Sequence, residues 1–347
     1  MKQNLINIVS GSLEKSDLIE IRKDFSGLLS AVKKNKSKSI ILENGFPFVP
    51  KEFLIGEINQ ILETHTIERT KYYIKRLKKS LTETKNSKIN DLNLNRWKEY
   101  EDIITDSLWI LNKRDNSGVH HAGYWGNFIP QIPNQLLRRY TKKGDWVLDP
   151  FLGSGTTLIE AQRLGRNAIG IELSKKVLDQ TKKNIAKETN PHNVRLEFVN
   201  GDSASFDFKS IFQNVSTKLF QFIILHPPYW DIIKFSDNKE DLSNAKSVED
   251  FLISFGKVID NCLLYLDKGR YAAVVISDKY SAGEWIPLGF YVMQEVLKRG
   301  MILKSTIVKN FEETTAKRNQ KELWRYRALA GGFYVFKHEY IFVFQKK

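Results

Sequence analysis

The stretch Asp145-Trp-Val-Leu-Asp-Pro-Phe-Leu-Gly-Ser-Gly-Thr-Thr157 joins a short apolar run to a glycine-rich turn. The apolar run predicts a buried strand, and Gly153 and Gly155 allow a sharp turn that a ligand can approach without meeting a Cβ atom. The residues after the turn have a helix-compatible composition, and Gly165 is a usual residue at which such a helix ends. The stretch therefore predicts a strand, a turn and a helix that together bind a nucleotide.

A second short apolar run, Asn167-Ala-Ile-Gly-Ile-Glu-Leu-Ser174, follows this helix. It predicts the second strand of a βαβ unit. Glu172 lies near its end, where the first acidic residue after such a turn can reach ribose hydroxyl groups. The unit is therefore expected to bind a nucleoside.

Two familiar nucleotide-binding turns do not match these residues. A phosphate-binding P-loop ends in Gly-Lys-Ser/Thr, whereas Gly155 is followed by Thr156 and Thr157. A dinucleotide-binding turn has a third glycine, whereas the matching position is Leu158, which would hold the helix away from a pyrophosphate. These differences argue against a kinase, an ATPase or a dinucleotide enzyme and favour a nucleoside without a pyrophosphate.

Two motifs, in their order along the chain, resemble those of S-adenosylmethionine-dependent amino-methyltransferases of DNA. Asp149-Pro-Phe-Leu-Gly-Ser-Gly-Thr-Thr157 resembles their motif I. The apolar strand Phe220–Leu225 runs into His226-Pro-Pro-Tyr229, which resembles their catalytic Asp/Asn/Ser-Pro-Pro-Tyr/Phe loop. The cofactor motif comes first, as in the γ arrangement of this family. The resemblance covers about residues 128–347 and leaves the first hundred or so residues unmatched.

The resemblance implies an α/β fold of the Rossmann-like methyltransferase type, with a mostly parallel seven-stranded sheet that ends in an antiparallel hairpin. It implies an enzyme whose cofactor is S-adenosyl-L-methionine. Asp202, after the third strand, is expected to bind the adenine amine, although ordinary turn chemistry explains Asn200-Gly-Asp202 equally well. The residues expected to bind the cofactor are Phe128, Pro130, Asp149, Phe151, Gly153, Gly155, Thr156, Thr157, Glu172 and Asp202.

The resemblance also implies a catalytic role for His226, Pro227, Pro228 and Tyr229. Two consecutive prolines fix φ and remove N–H donors, which favours a rigid loop that presents carbonyl oxygens to a substrate. One N–H of an exocyclic amine would donate to the His226 side chain and the other to the Pro227 carbonyl, while Tyr229 would stack on the base. Catalysis is then mainly the orientation of the amine.

His226 departs from the family, which usually has Asp, Asn or Ser at this position. Neutral imidazole accepts one hydrogen bond and imidazolium accepts none, so transfer is expected to fall at acid pH near the ordinary pKa of about 6.5. The histidine matches neither the adenine N6 enzymes nor the cytosine N4 enzymes. Trp230 after Tyr229 is more like the cytosine N4 group, so cytosine N4 is slightly favoured over adenine N6 as the target.

The composition favours a nucleic-acid partner. The chain has 347 residues, a formal net charge of +14 and a pI near 9.5. A basic surface gains affinity for nucleic acid by releasing counterions, so DNA is the expected partner. The alternative is a lysine-rich composition that gives a basic surface without binding. No apolar run is long enough for a membrane helix and no secretory signal is evident, so a cytoplasmic protein without a membrane partner is expected.

Metal and redox chemistry are not expected. The adjacent His120 and His121 do not predict a metal site, because neighbouring side chains on an extended segment point to opposite sides and no third ligand accompanies them. The single cysteine, Cys262, lies in an apolar helical pattern and is expected to be a core residue.

Two regions are predicted: a basic, largely helical N-terminal region at 1–118, which is a candidate DNA-recognition element, and a methyltransferase domain at 119–347. In the first, Arg69–Lys79 interleaves aromatic residues with bases, which predicts either contact with a phosphate backbone or an ordinary solvated helix face. In the second, a basic and aromatic segment from Lys317 to Gly332 is expected to be a substrate-facing loop.

Three functions stay open on the sequence. The leading hypothesis is a site-specific DNA methyltransferase that acts on an exocyclic amine, with restriction-modification as a candidate setting. The second is an RNA methyltransferase acting on guanine N2, for example in tRNA, because those enzymes share the Pro-Pro-Tyr loop. The third is a nucleic-acid-binding protein in which His226 has disabled catalysis. The sequence predicts neither a recognition sequence nor an oligomeric state.

Overall fold

The computed structural model describes residues 2–40, 48–120, 123–124, 126–310 and 321–347, without the side chains of residues 2–4 and 321. The chain divides into two compact units, Met1–Ile103 and Ile104–Lys347. The sequence placed this boundary at residue 118. It lies earlier because Leu108–Trp109 forms a strand that pairs with the sheet of the second unit.

The first unit is largely helical, as predicted. Its apolar core contains residues from every long helix, including Val9, Phe25, Ile58 and Ile74, all of which are fully buried. The regular elements are α1 (Lys2–Glu14), α2 (Leu18–Lys34), β1 (Ser39–Ile40), β2 (Val49–Pro50), α3 (Lys51–Leu62), α4 (Ile67–Thr82) and a 3₁₀ helix at Leu94–Glu99.

The second unit is an α/β fold built on one large sheet. The sheet order is β3, β11, β12, β8, β7, β4, β5, β6. Its strands are β3 (Leu108–Trp109), β4 (Trp146–Asp149), β5 (Asn167–Glu172), β6 (Leu196–Asn200), β7 (Phe220–Leu225), β8 (Leu266–Ile276), β11 (Ile302–Asn310) and β12 (His338–Gln345). A separate hairpin joins β9 (Lys279–Ser281) to β10 (Glu284–Ile286).

The sheet is mostly parallel, and β12 alone of its described strands runs antiparallel to its neighbours, β11 and β8. The predicted terminal antiparallel hairpin is therefore present. The sheet has eight strands rather than the predicted seven. The additional strand is β3, which pairs in parallel with β11 through Leu108 opposite Val308 and Trp109 opposite Lys309.

Both faces of the sheet are buried, as the continuous apolar strands predict for a parallel sheet. In β8, Ala272, Val274 and Ile276 pack into the core on one face, while Ala273 and Val275 pack into the core on the other. The α-helices described in this unit are α5 (Gln131–Tyr140), α6 (Thr156–Leu164), α7 (Lys175–Ile185), α8 (Phe208–Phe212), α9 (Val248–Leu264), α10 (Leu288–Leu297) and α11 (Lys321–Gly331).

The basic and aromatic segment before β12 is not a plain loop where the structure describes it. Residues 321–331 form α11, on which the apolar side chains of Leu323 and Leu329 are exposed. Lys317 and Arg318 lie outside the described residues. The substrate-facing role of this segment stays a prediction.

Candidate active site

Two glycines in left-handed conformations, Gly153 at φ 49° and Gly155 at φ 80°, shape the turn between β4 and α6. A Cβ atom on Gly155 would lie 2.7 Å from side-chain atoms of both Thr181 and Ile185 in α7. A Cβ atom on Gly153 would lie 3.1 Å from the ring of Tyr124. Gly155 is therefore required for close packing against α7, whereas Gly153 lies against an aromatic ring beside a cavity.

The carboxylate of Glu172 joins this turn to the start of α7. One of its oxygens accepts a hydrogen bond from Gly153 N at 2.9 Å, and the other accepts one from Ser174 N at 2.9 Å. Burial raises the pKa of the Glu172 carboxyl. Each carboxylate oxygen can accept more than one hydrogen bond, so Glu172 keeps the capacity to bind ribose hydroxyl groups.

Asp149 ends β4 and is 2% exposed. Its Oδ1 accepts a hydrogen bond from Phe151 N at 3.0 Å. Burial raises the pKa of the Asp149 carboxyl to about 6, and the neighbouring Glu172 carboxylate adds to the rise. Because burial and mutual repulsion disfavour both negative charges, this pair of carboxyl groups favours a cationic ligand.

A cavity lies beside Asp149 and Glu172, the last residues of β4 and β5. Among the described residues that line this cavity, every member of the Asp, Glu, Lys and Arg set is acidic. We refer to it as the acidic cavity. Its acidic residues are Asp149, Glu172, Asp202, Glu240 and Asp241.

Seven of the ten residues predicted to bind the cofactor line the acidic cavity, namely Phe128, Asp149, Phe151, Gly153, Thr156, Glu172 and Asp202. The other three do not line it. Pro130 precedes α5, Gly155 packs against α7, and Thr157 is fully buried in α6. The structure thus brings most of the predicted set together, and cofactor contact stays a prediction for each residue.

Asp202 has both of the features considered for it. Its Oδ1 accepts a hydrogen bond from Ala204 N at 2.9 Å and its Oδ2 one from Ser205 Oγ at 3.0 Å, as in an ordinary turn. It also lines the acidic cavity. The adjacent Ser203 donates a hydrogen bond to Pro150 O at 2.6 Å and so fixes this turn against motif I.

The sequence did not identify Tyr124, Phe235 and Asp241 as lining residues of the acidic cavity. The rings of Tyr124 and Phe235 stack, with centroids 6.3 Å apart and an interplanar angle of 23°. Tyr124 is distant in sequence from Phe235 and Asp241, and all three belong to irregular segments, so periodicity gives no signal for them. Gly126 is a local indication of a tight contact in this region, because a Cβ atom there would lie 2.8 Å from the Phe235 ring.

A second, larger cleft of about 1020 Å³ lies beside the acidic cavity. It contains three basic side chains, Arg114, Lys309 and Lys337, together with Glu339, and we refer to it as the basic cleft. The residues that line both the cleft and the acidic cavity are Gly126, Asn127, Phe128, His226, Pro227, Pro228 and Phe235.

The Pro-Pro-Tyr loop begins where β7 ends, and Tyr229 lines the basic cleft together with His226. His226 Nε2 and Tyr229 Oη are 3.1 Å apart. Tyr229 Oη donates a hydrogen bond to Glu339 at 2.8 Å, and Glu339 forms an ion pair with Lys309 at 3.0 Å. The Tyr229 hydroxyl is therefore held by the protein. Stacking of its ring on a base stays a prediction.

The sequence predicted that methyl transfer falls at acid pH near the ordinary pKa of histidine. The environment of His226 argues against this prediction. Loss of solvent around the ring, aided by the positive charge of Lys309, lowers the pKa of the His226 imidazole to about 3. The ring packs edge-on against Phe128, with centroids 4.6 Å apart. The ring is therefore neutral at physiological pH and keeps one nitrogen as a hydrogen-bond acceptor.

The acidic cavity fits S-adenosylmethionine on its donor and acceptor chemistry. Glu172 presents carboxylate oxygens at the position where ribose hydroxyl groups are bound in βαβ nucleoside sites. The carboxyl groups of Asp149 and Asp241 complement a ligand that carries ammonium and sulfonium charges. Phe128 and Phe151 supply apolar surface to the same cavity.

Neither a metal centre nor a membrane segment is found in the part of the chain that the structure describes. No group of three or more His, Cys, Asp and Glu side chains there could hold a metal ion, and no helix there has the length and apolar character to cross a membrane. His120 pairs with Glu160 at 2.7 Å, and His121 lies outside the described residues. Cys262 is buried in the core, as predicted.

Comparison with protein families gives a match over most of the chain. The DNA methylase family matches residues 2–183 and 220–347, and an RMKL-like methyltransferase domain matches residues 136–246. Because the first match begins at residue 2, the expectation that the first hundred residues would stay unmatched is wrong.

Individual relatives match shorter stretches. The Type II methyltransferase M2.DpnII of Streptococcus pneumoniae is 39% identical over 100 residues, which are 27% of this chain and 34% of that protein. A candidate large-subunit ribosomal RNA methyltransferase of Methanocaldococcus jannaschii, MJ1649, is 28% identical over 245 residues, 67% of this chain and 57% of that protein. The chain spans 16%, 57% and 21% of the lengths of the first three curated relatives that it matches.

Among solved structures, TrmN from Thermus thermophilus is 18% identical, has a TM-score of 0.41, and covers 64% of this chain and 50% of its own. The family match is the broader finding, because it includes both motif I and the Pro-Pro-Tyr loop. The chain therefore belongs to the DNA methylase family, and its cofactor is S-adenosylmethionine.

Proposed function

We propose that this protein is a site-specific DNA methyltransferase that transfers a methyl group to an exocyclic amine of a base. The observation that carries the proposal is the wall between the two cavities. Phe128, His226, Pro227 and Pro228 line both the acidic cavity and the basic cleft. A cofactor in the acidic cavity and a base in the basic cleft would therefore meet at the Pro-Pro loop.

Bound S-adenosylmethionine would supply the methyl group and the positive sulfonium charge that activates it. The protein would orient the amine. The neutral ring of His226 and the carbonyl of Pro227 are both hydrogen-bond acceptors, and they match the two N–H donors of an exocyclic amine. With both protons held, the nitrogen lone pair points toward the methyl group, so that orientation supplies most of the rate enhancement. A covalent nucleophile is not needed.

The charges of the two cavities support this assignment of ligands. Carboxyl groups line the acidic cavity, which suits a cation, whereas Arg114, Lys309 and Lys337 line the basic cleft, which suits a nucleic acid. The formal net charge of +14 adds a general attraction to the same partner. Restriction-modification is the setting that the similarity to the Type II methyltransferase M2.DpnII favours.

The residue after Tyr229 bears on the target base. Cytosine N4 stays slightly ahead of adenine N6 because Trp230 follows Tyr229, as in the cytosine enzymes that the loop resembles. The Trp230 indole donates a hydrogen bond to Ala245 O at 2.8 Å, which anchors the loop. Analysis of the methylated nucleosides decides between the two bases.

RNA guanine N2 is the second candidate target. The candidate ribosomal RNA methyltransferase MJ1649 covers 67% of this chain, more than the Type II methyltransferase M2.DpnII, which covers 27%. The Pro-Pro-Tyr loop is common to both classes of enzyme. The substrate therefore has to be tested with both nucleic acids.

The test uses the full chain with radiolabelled S-adenosylmethionine, unmethylated DNA, ribosomal RNA and tRNA. Nucleosides are separated after digestion. The proposal expects label in N4-methylcytosine or N6-methyladenine of DNA, and none with His226→Ala, which should still bind cofactor. Label in N2-methylguanosine of RNA alone would establish the second candidate. Cofactor binding without transfer to any substrate, with transfer regained in His226→Asp, would show a nucleic-acid-binding protein with a disabled loop.

A further inference from the structure

A chain of polar contacts runs from His226 to the last two long strands of the sheet. His226 Nε2 lies 3.1 Å from Tyr229 Oη, which lies 2.8 Å from Glu339 Oε2. Glu339 Oε1 lies 3.0 Å from Lys309 Nζ. Lys309 in β11 and Glu339 in β12 are directly opposite each other in the antiparallel ladder.

The direction of each hydrogen bond in this chain follows from the chemistry of its members. The ionised carboxylate of Glu339 can only accept, and the ammonium of Lys309 can only donate. The Tyr229 hydroxyl keeps its proton, because burial and the Glu339 charge raise its pKa well above the usual value. Tyr229 therefore donates to Glu339, and its oxygen accepts a hydrogen bond from His226 Nε2–H.

The ion pair between Lys309 and Glu339, which ends this series of polar contacts, is buried. The side chains of Lys309 and Glu339 are each 5% exposed. A buried ion pair is costly to desolvate and is often replaced by apolar residues without loss of stability, so stability alone does not account for it. Its position does have a chemical consequence, because Glu339 determines which way the Tyr229 hydroxyl points.

We propose that Glu339 and Lys309 are positioning residues that fix the His226 ring in its Nε2–H tautomer and so leave Nδ1 to accept a hydrogen bond from the target amine. The proposal rests on the proposed function for the role of Nδ1. The tautomer itself follows from the contacts alone. A neutral histidine has one donor and one acceptor nitrogen, so the partner of one nitrogen sets the role of the other.

The substitution Glu339→Gln makes the sharpest prediction. The glutamine amide has one acceptor oxygen and one donor NH₂ group. The Lys309 ammonium can only donate, so the amide oxygen must turn toward Lys309 and the NH₂ toward Tyr229. Tyr229 then accepts from the amide and donates to His226 Nε2. The ring is forced into the Nδ1–H tautomer, and its acceptor for the substrate is lost.

Replacing both members of the pair should reverse this change. With Glu339→Gln and Lys309→Met together, the ammonium is gone and the amide oxygen is free to accept from Tyr229. The Nε2–H tautomer should return. Lys304→Met is the matched control, because Lys304 is an exposed residue of the same strand and is not opposite Glu339.

The tautomer is read by NMR on the full chain with ¹⁵N-labelled histidine, where the proton coupling identifies the protonated ring nitrogen. The chain has six histidines, and the His226 signals are those lost in His226→Ser. We expect Nε2–H in the wild type, Nδ1–H in Glu339→Gln, and Nε2–H in the double variant and in Lys304→Met. An unchanged tautomer in folded Glu339→Gln, or Nδ1–H in the wild type, would overturn the proposal.

Tyr229→Phe covers the case in which Glu339→Gln does not fold, because it leaves the ion pair intact. It removes the acceptor of His226 Nε2–H, and we expect a mixture of the two tautomers. A pure Nε2–H ring in this variant would refute the relay through Tyr229.

Methyl transfer measured on the same samples tests the role of Nδ1 separately. The rate of transfer should fall roughly ten- to hundredfold in Glu339→Gln, as expected for the loss of one catalytic hydrogen bond, and recover in the double variant, with cofactor affinity unchanged throughout. If the tautomers switch as expected but the wild type transfers methyl to neither DNA nor RNA, the proposed function fails while the tautomer assignment stands. If the tautomer switches but the rate of methyl transfer does not change, Nδ1 does not accept a hydrogen bond from the target amine.

Discussion

Glu172 accepts a hydrogen bond from the backbone N–H of Gly153 at 2.9 Å, which ties the end of β5 to the turn that precedes α6. The two parts of the nucleoside-binding unit are therefore joined by the same carboxylate that is expected to bind ribose. One side chain thus shapes the turn and presents acceptor atoms to the acidic cavity. A change at this position should affect both roles, and two variants can separate them.

Glu172→Ala should weaken binding of S-adenosylmethionine by about 1.5 to 3 kcal/mol, the range for hydrogen bonds to a charged group. Glu172→Gln keeps one acceptor oxygen for Gly153 or for the ribose, so its loss should be smaller. Calorimetric titration of the cofactor measures both, with Lys304→Met as a control that should bind normally, because Lys304 is exposed and lines neither cavity. Wild-type affinity in Glu172→Ala would remove this residue from the site.

Asp149 should make stability depend on pH in a defined direction. Its folded pKa of about 6 is raised above the ordinary value of 3.8, so the folded state holds a proton more tightly than the unfolded state. The associated stability is complete below pH 3.8 and is lost as the pH rises through about 6. Asp149→Asn does not titrate.

The unfolding free energy of the wild type, minus that of Asp149→Asn, should therefore fall by up to about 3 kcal/mol between pH 4 and pH 7. Urea unfolding at several pH values gives this difference. A constant difference across the range would mean that the Asp149 carboxyl titrates normally.

The elements with continuous local patterns were predicted well. The structure places α6 at Thr156–Leu164 with Gly165 at its end, and β7 at Phe220–Leu225, as the sequence indicated. In both cases the signal is local: a glycine at φ 80° after the helix, and an unbroken apolar strand. Motif I and the Pro-Pro loop also come together at one pair of cavities, as their resemblance to one family implied.

The features that were missed depend on residues far apart in the chain. Strand β3 has only two residues, Leu108 and Trp109, and exists because β11 lies beside it. A side chain at Gly155 would collide with α7. The residues next to Gly155 in the sequence do not indicate this contact. The low pKa of His226 comes from burial and from Lys309, which is distant in sequence. No periodicity or motif carries such information.

The basic face of α4 can be tested more precisely than the sequence allowed, because one of its bases has a partner. Arg76 forms hydrogen bonds to both carboxylate oxygens of the buried Glu57. Lys75 and Lys79 lie on the same helix, and the structure shows no ion pair for them among the residues that it describes. Arg76 should therefore stabilise the first unit, while the lysines are the candidates for binding phosphate.

Replacement of Lys75, Lys78 and Lys79 by alanine should flatten the plot of log affinity for DNA against log salt concentration, by roughly 0.9 for each phosphate that the variant no longer neutralises. Cofactor affinity should not change. Three lysines of α7 and the turn after it, Lys176, Lys183 and Lys187, give a control with the same reduction in charge. Equal slopes for the two triple variants would identify the α4 lysines as an ordinary solvated face.

Arg76→Ala should behave differently from the lysine variants. It leaves the buried Glu57 without its bidentate partner, although Lys98 still pairs with Glu57. We expect a lower unfolding free energy of the chain, because an incompletely paired buried charge is costly. Urea unfolding beside the salt titration distinguishes this effect from weaker DNA binding.

His226 gives the last prediction, which concerns pH. The folded ring protonates near pH 3, whereas an exposed histidine protonates near the ordinary value of 6.5. The groups that bear on it are Tyr229, Glu339 and Lys309. Protons therefore favour the unfolded state, and the stability of the wild type relative to His226→Ser should decrease as the pH falls from about 6.5 toward 3.

Methyl transfer should lack the acid limb that the sequence suggested. Because the ring stays neutral, the ratio of single-turnover rates for wild type and His226→Ser should be constant between pH 5 and pH 8, with substrate saturating. Serine does not titrate in this range, so the ratio isolates the imidazole. A ring with an ordinary pKa would instead be about 97% protonated at pH 5, and the ratio would fall about thirtyfold. A fall of that size would show that the His226 ring is solvated during catalysis and has an ordinary pKa.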